Sequence, residues 1–162
     1  MRMAKNELLS ALSSLPNIAS NYFENIPEES LDVRRLPTAW TIREHLYHIA
    51  GIQAMLLARL DLMYREPQPV IVPYFPDKET EKLSQWTSAS EALARYRELR
   101  AAQLAVFEKS TDEVFSRPAR HAEYQDYSMG VLLHHMVFHE YWHLYRIEEL
   151  WLTKDEYLTE LL

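Results

Sequence analysis

Glycine is nearly missing from this chain: only Gly51 and Gly130 occur in 162 residues. Glycine supplies the tight turns of β-sandwiches and the close backbone approach of phosphate-binding loops, so neither a β-sandwich nor a Rossmann unit is expected. Leu, Ala and Glu are plentiful instead, and they lose little on entering a helix. The chain therefore reads as all-α. Its length suits one domain, residues 1–162, around a single core. A composition of 48% hydrophobic and 25% charged residues is globular and argues against disorder.

Apolar periodicity divides the chain into four long helices. In the first, residues 4–25, Leu8, Leu12, Leu15, Ala19 and Tyr22 recur at steps of three and four, and Ile26 follows. Pro16 falls inside this stripe and predicts a kink or a break. A linker over residues 26–39 is punctuated by Pro27 and Pro37. The second helix opens on a T-x-x-E capping box, Thr41 to Glu44, and continues through Leu46, Ile49, Gln53, Leu56, Leu60 and Met63 to about Arg65. Pro67, Pro69, Pro73 and Pro76 then make a stiff loop whose Tyr74 and Phe75 are candidates for a substrate mouth, and Pro76-Asp77 suggests a short helical turn. The third helix starts at a second box, Ser88 to Glu91, with Leu93, Tyr96, Leu99, Gln103 and Phe107 on its buried side. A polar loop over residues 110–127 leads to Ser128, which caps a fourth helix over residues 129–151. Thr153 and Glu156 suggest a short terminal helix. The expected architecture is a four-helix bundle with a short C-terminal helix.

The formal charge of −7 repels phosphate backbones, and Arg34-Arg35 is too short a run to offset it, so no nucleic-acid partner is expected. No apolar stretch is long enough to span a bilayer. The N-terminus lacks a signal-peptide core, and the chain reads as cytoplasmic. There is no cysteine. Any metal must therefore sit on nitrogen and oxygen, and any thiol chemistry must use a thiol from outside.

The chemistry lies in the histidines: His45, His48, His121, His134, His135, His139 and His143. Residues four apart on a helix are offset by roughly 40° and about 6 Å, so His135, His139 and His143 share one face of the fourth helix. On a helical wheel that face also carries Leu132, Met136 and Leu150, which turns the histidine strip toward the bundle interior. Burying unpartnered polar rings costs roughly 1–3 kcal/mol each, a penalty that a metal ion removes. The His139–His143 spacing suits two ligands of one ion. His48, at the edge of the second helix's apolar stripe, can meet them across the bundle. Three imidazoles leave a fourth position for water or substrate, the pattern of a catalytic site. Zinc fits best, and nickel, iron and manganese also accept imidazole. His135 remains open between ligand, hydrogen-bond donor to a ligand, and acid/base group. His45 reads as a rim residue, and His121 and His134 as solvated. Glu140 points about 100° away from His139, and Glu44 is engaged in the capping box, so neither suits a general base.

Two motifs give the chain a family resemblance. Trp40-Thr41-Ile42-Arg43-Glu44-His45-Leu46-Tyr47-His48 resembles the W-S/T-x-x-E-x-x-x-H segment of the DinB-like (DinB/YfiT) family of metalloenzymes. His139-Glu140-Tyr141-Trp142-His143 is similar to that family's H-x-x-x-H in the last long helix, here preceded by His135. The resemblance implies a DinB/YfiT-like four-helix bundle, commonly a homodimer, with ligands at His48, His139 and His143. It departs after His143, where Leu144-Tyr145-Arg146 stands in place of x-Gly-Gln. Arg146 lies one turn on along the histidine face, facing an anionic substrate or, by preference, a core carboxylate. The resemblance further implies a metal-dependent transferase that joins a low-molecular-weight thiol to a small-molecule substrate. The alternatives are a metal-assisted hydrolase and a non-enzymatic metal-containing stress or interaction protein.

Overall fold

The computed structural model describes residues 5–37, 39–73 and 86–154. In order come α1 (Lys5–Asn25), a 3-10 turn (Glu28–Ser30), α2 (Ile42–Gly51), α3 (Gln53–Arg65), β1 (Val70–Ile71), α4 (Ala89–Lys109), α5 (Asp112–Ser116), β2 (Arg120–His121) and α6 (Met129–Leu152). The four-helix bundle consists of α1, the α2–α3 pair, α4 and α6; α4 packs on α1, α2 and α3, and α6 packs on α1 and α2. Leu12 and Leu15 of α1, Leu46 of α2, Leu60 of α3, Phe107 of α4 and Leu132 of α6 are fully buried at its centre. Each such side chain contributes about 1.5–3 kcal/mol by leaving water.

The sequence signals that start the helices act as expected, with one variation. The Thr41 hydroxyl accepts from the Glu44 amide at 3.2 Å, and the Glu44 carboxylate accepts from the Thr41 amide at 2.7 Å, closing the box at the head of α2. Ser128 caps α6 by accepting from the Val131 amide. Ser88 likewise accepts from the Glu91 amide, but the Glu91 carboxylate takes the Thr87 amide and hydroxyl instead of closing on Ser88.

Three expectations are corrected. First, of the two outcomes expected at Pro16 the break does not occur, since α1 runs from Lys5 to Asn25 as one helix. A proline inside a helix costs about 3 kcal/mol, and burial of Leu8, Leu12, Leu15 and Ala19 around it outweighs that cost. Second, the helix expected from Thr41 to Arg65 is interrupted at Ile52, between α2 and α3. Gly51, a poor helix former, precedes the break, and the Gln53 side-chain amide donates to the Ile49 carbonyl at 2.7 Å. Such a side chain entering the backbone ladder is a recognised cause of helix irregularity. Third, the segment expected as a polar loop contains α5, capped by Thr111 accepting from the Val114 amide, and β2. In β2, Arg120 and His121 pair in parallel with Val70 and Ile71 of β1, so a strand also interrupts the proline-rich loop. Gly130, in the first turn of α6, admits the Phe115 ring so closely that a Cβ there would lie 2.9 Å from it. The readings placed on Tyr74, Phe75, Pro76-Asp77 and the terminal helix at Glu156 lie outside the described residues.

A polar cluster sits inside this apolar frame. Glu140 of α6, with no exposed surface, is ion-paired with Arg100 of α4, itself 2% exposed. Tyr96 donates its hydroxyl to the same carboxylate, and Gln53 donates to it at 3.0 Å. Arg100 also donates to Gln103 at 2.6 Å, and Gln103 donates to the Gln53 backbone and side-chain carbonyls, each at 3.0 Å. Burial, then the Glu140 charge, pushes the Tyr96 hydroxyl well above its usual pKa, so it stays protonated and donates. The cluster joins α3, α4 and α6. Among the described residues no helix is long and apolar enough to cross a membrane.

Candidate metal centre

Where α2 meets α6, three histidines converge. The capping box fixes the start of α2 and places His48 two turns in. On α6, His139 and His143 stand one turn apart. The Nε2 atoms of His48 and His139 are 3.3 Å apart, and those of His139 and His143 are 3.2 Å apart. One ligand atom from each of the three residues lies within 4.8 Å of the others. Tetrahedral ligands at zinc–nitrogen distances of 2.0–2.1 Å are separated by about 3.3 Å, which the two separations from His139 match. The chemistry of the set fits too: three neutral imidazole nitrogens suit zinc first and nickel, iron or manganese as well.

The electrostatics favour neutral, ligand-ready rings. Burial lowers the His48 pKa to about 4. Burial, then His48 and His135, lowers that of His139 to about 3. His143 is pushed down furthest, by burial and then by His139, His48 and His45. A cation at their centre would take the lone pairs of rings that already resist protonation. His48 and His139 are half-buried, whereas His143 is buried, so the cluster lies at the rim of the core. Trp40, just before the cap, covers one side: its ring centroid is 5.0 Å from that of His48 and stacks 5.8 Å from that of His143.

The remaining histidines take places that the wheel does not give. The strip on α6 runs obliquely from surface to core, so His135 is exposed while His143 is buried. The His135 ring stacks on that of His139 at 5.6 Å between centroids, and its pKa is lowered by partial loss of solvent and then by Arg59, His121 and His134. His45, expected at the rim, is instead buried at 4% exposure. Its position three residues before His48, on the same face of α2, was the available signal. His121 is half-buried rather than solvated, with its ring 4.7 Å from that of Tyr127 and 4.8 Å from that of Tyr124. His134 is exposed, as expected. Arg146 is buried and ion-paired with Glu149, the carboxylate pairing preferred for it. Glu44 is held by its cap and by Arg34 at 2.6 Å. The wall formed by half-buried Trp40 and the interior Arg100–Glu140 cluster were missed.

Fold and site together define a helical-bundle protein with a three-histidine cluster between two of its helices. The chain belongs to the DinB superfamily, whose family model matches residues 11–151. It is similar to "Putative metal-dependent hydrolase OB0782" of Oceanobacillus iheyensis, 26% identical over 151 residues that cover 93% of this chain and 87% of that protein. It is also similar to "Putative metal-dependent hydrolase YfiT" of Bacillus subtilis, 26% identical over 148 residues that cover 90% of this chain and 83% of that one. A solved structure described as "YfiT from Bacillus subtilis is a probable metal-dependent hydrolase with an unusual four-helix bundle topology" aligns with TM-score 0.79 and 25% identity, covering 91% of this chain and 87% of the other.

Proposed function

We propose that this protein is a metal-dependent hydrolase of small molecules, with its ion on His48, His139 and His143. The observation that carries the reading is the meeting of three neutral imidazoles whose ligand nitrogens lie within 4.8 Å of one another, with two of the three separations at 3.2 and 3.3 Å. The names of the relatives support hydrolysis over other metal chemistry. A divalent ion on three imidazoles supplies a Lewis acid with a remaining coordination position for a water or a thiol, whose proton it makes easier to remove. We assign the taking of that proton to His135, supported by its ring being neutral near pH 7, stacked on His139 and exposed to solvent. Trp40 walls the cluster and limits water on its side.

A second reading, transfer of an external low-molecular-weight thiol to an electrophile, has its own support. Glu44 and Glu140, the carboxylates nearest the ligands in sequence, are held by a cap and by Arg100, and a thiol needs less help than water to lose its proton. The chain has no cysteine to compete for the ion.

The test starts with the metal content of purified and zinc-reconstituted protein. Small esters, amides and lactones are then assayed with and without added thiols. Turnover without thiol, lost on chelation and in His143→Ala, supports the hydrolase; turnover that requires thiol moves the assignment to transfer. His143→Ala should lose most metal affinity while His121→Ala keeps it. Equal metal binding by the two variants overturns the site.

A further inference from the structure

We infer that His45 is a positioning residue for the metal centre: its Nδ1 accepts a hydrogen bond from Nδ1–H of His143, which presents the His143 Nε2 lone pair to the ion. The inference rests on the metal reading above. The two Nδ1 atoms are 2.8 Å apart, and the residues are 4% and 3% exposed. One of two such rings must donate and the other accept. His143 turns Nε2 toward His139 and His48, so it can bind an ion there only with its proton on Nδ1. That leaves His45 as the acceptor, with its own proton on Nε2.

The surroundings of His45 keep it in that role. Its ring packs 5.3 Å from that of Trp40 and edge-on to that of Trp142 at 6.0 Å between centroids. The positive Arg146, paired with Glu149, lies near enough to oppose a charge on it. A cation held by His143 on the other side adds to the same opposition. His45 is not itself placed as a ligand, because its Nδ1 is turned to the edge of the His143 ring away from the cluster.

Metal-bound histidines usually donate this second N–H to a carboxylate, a backbone carbonyl or water, which fixes the ring and raises its basicity. A neutral imidazole in that position fixes the ring without adding negative charge. The ion is therefore left more electron-poor than it would be above a carboxylate, which strengthens it as a Lewis acid.

The test uses cobalt(II) as the probe on the full chain, comparing wild type with His45→Phe, His45→Asn and His45→Gln. The readouts are affinity by chelator competition, the visible cobalt spectrum, and melting of the metal-free protein. His45→Phe fills the space without an acceptor and should weaken cobalt binding about 10–100-fold and shift its spectrum. His45→Asn places an oxygen near the Nδ1 position and should recover most of the affinity. His45→Gln places its oxygen further out and should recover less. The inference is overturned if His45→Phe melts like wild type and binds cobalt equally well with an unchanged spectrum. Equal affinity of His45→Asn and His45→Gln also overturns it, and that comparison holds even where the Phe variant does not fold. A wild-type chain that binds no cobalt removes the metal reading itself, a result distinct from either of these.

Discussion

Replacing Glu140 by Gln should destabilise the protein strongly and leave the metal centre nearly untouched. The carboxylate is fully buried and receives Arg100, Tyr96 and Gln53. Glutamine keeps the shape and removes the charge, leaving the Arg100 guanidinium at 2% exposure without its counter-charge. Breaking one side of a buried ion pair costs about 3–5 kcal/mol. Since folded domains hold about 5–15 kcal/mol in total, this is about a fifth of the whole at the least. In a chain of this size each kcal/mol moves Tm by roughly 2–4 °C, so the drop should be about 6–20 °C. Urea unfolding and calorimetry of the metal-free protein measure it, and cobalt affinity is measured in parallel. Replacing both partners, Arg100→Met with Glu140→Leu, should recover much of the loss, because two apolar side chains need no compensation. A cost below about 1 kcal/mol would refute the reasoning, since an ion pair this deeply buried cannot be lost so cheaply. So would a Glu140→Gln protein that folds as well as wild type but binds no cobalt, since the carboxylate would then belong to the metal site.

Acid should unfold the metal-free protein earlier than its carboxylates alone predict. His45 and His139 titrate near about 3 and His48 near about 4 when folded, against 6.5 for the ordinary side chain. Folded pKa values below unfolded ones mean that the unfolded chain takes up protons the native one refuses. Stability is then complete above about pH 6.5 and falls as pH drops toward 4, by up to about 1.4 kcal/mol per pH unit for each such ring. Chemical unfolding between pH 4 and 8 checks the sign, and a flat profile across that window contradicts it. Thr41→Ala should cost about 0.5–2 kcal/mol through loss of the α2 cap, read by urea unfolding. It should also weaken cobalt binding, because His48 rides on that helix; unchanged binding would mean that the cap does not position the ligand.

The sequence was most legible where one local rule decided the outcome. Thr41, Ser88 and Ser128 mark helix starts because a cap is a short-range interaction between neighbours. Leu8 through Ala19 mark a buried stripe because the helical period is fixed. The three histidines that converge were legible as spacing on α6 plus the family motif on α2. What stayed hidden depended on partners far apart in sequence. Gln53 and Gln103 stand in otherwise apolar stripes, a visible irregularity, but they meet only across α3 and α4, and Glu140, which Gln53 also reaches, sits on α6. His45 looked peripheral because a wheel ranks residues by angle alone, whereas its burial is set by Trp40, Trp142 and the approach of α6. The β1–β2 pair joins segments about fifty residues apart, and no short window contains both.

The Arg100–Glu140 lock also bears on how the protein would acquire the ion proposed for its histidines. Glu140 adjoins His139 and lies three residues from His143, so the contact that anchors it to α4 also sets the rotational phase of α6. The helix cannot swivel appreciably without pulling a charge away from its partner. Metal uptake should therefore resemble a key entering a finished lock more than a clasp drawing loose parts together. Little ordering entropy would be lost on loading, and exchange of one ion for another would proceed without the backbone coming apart.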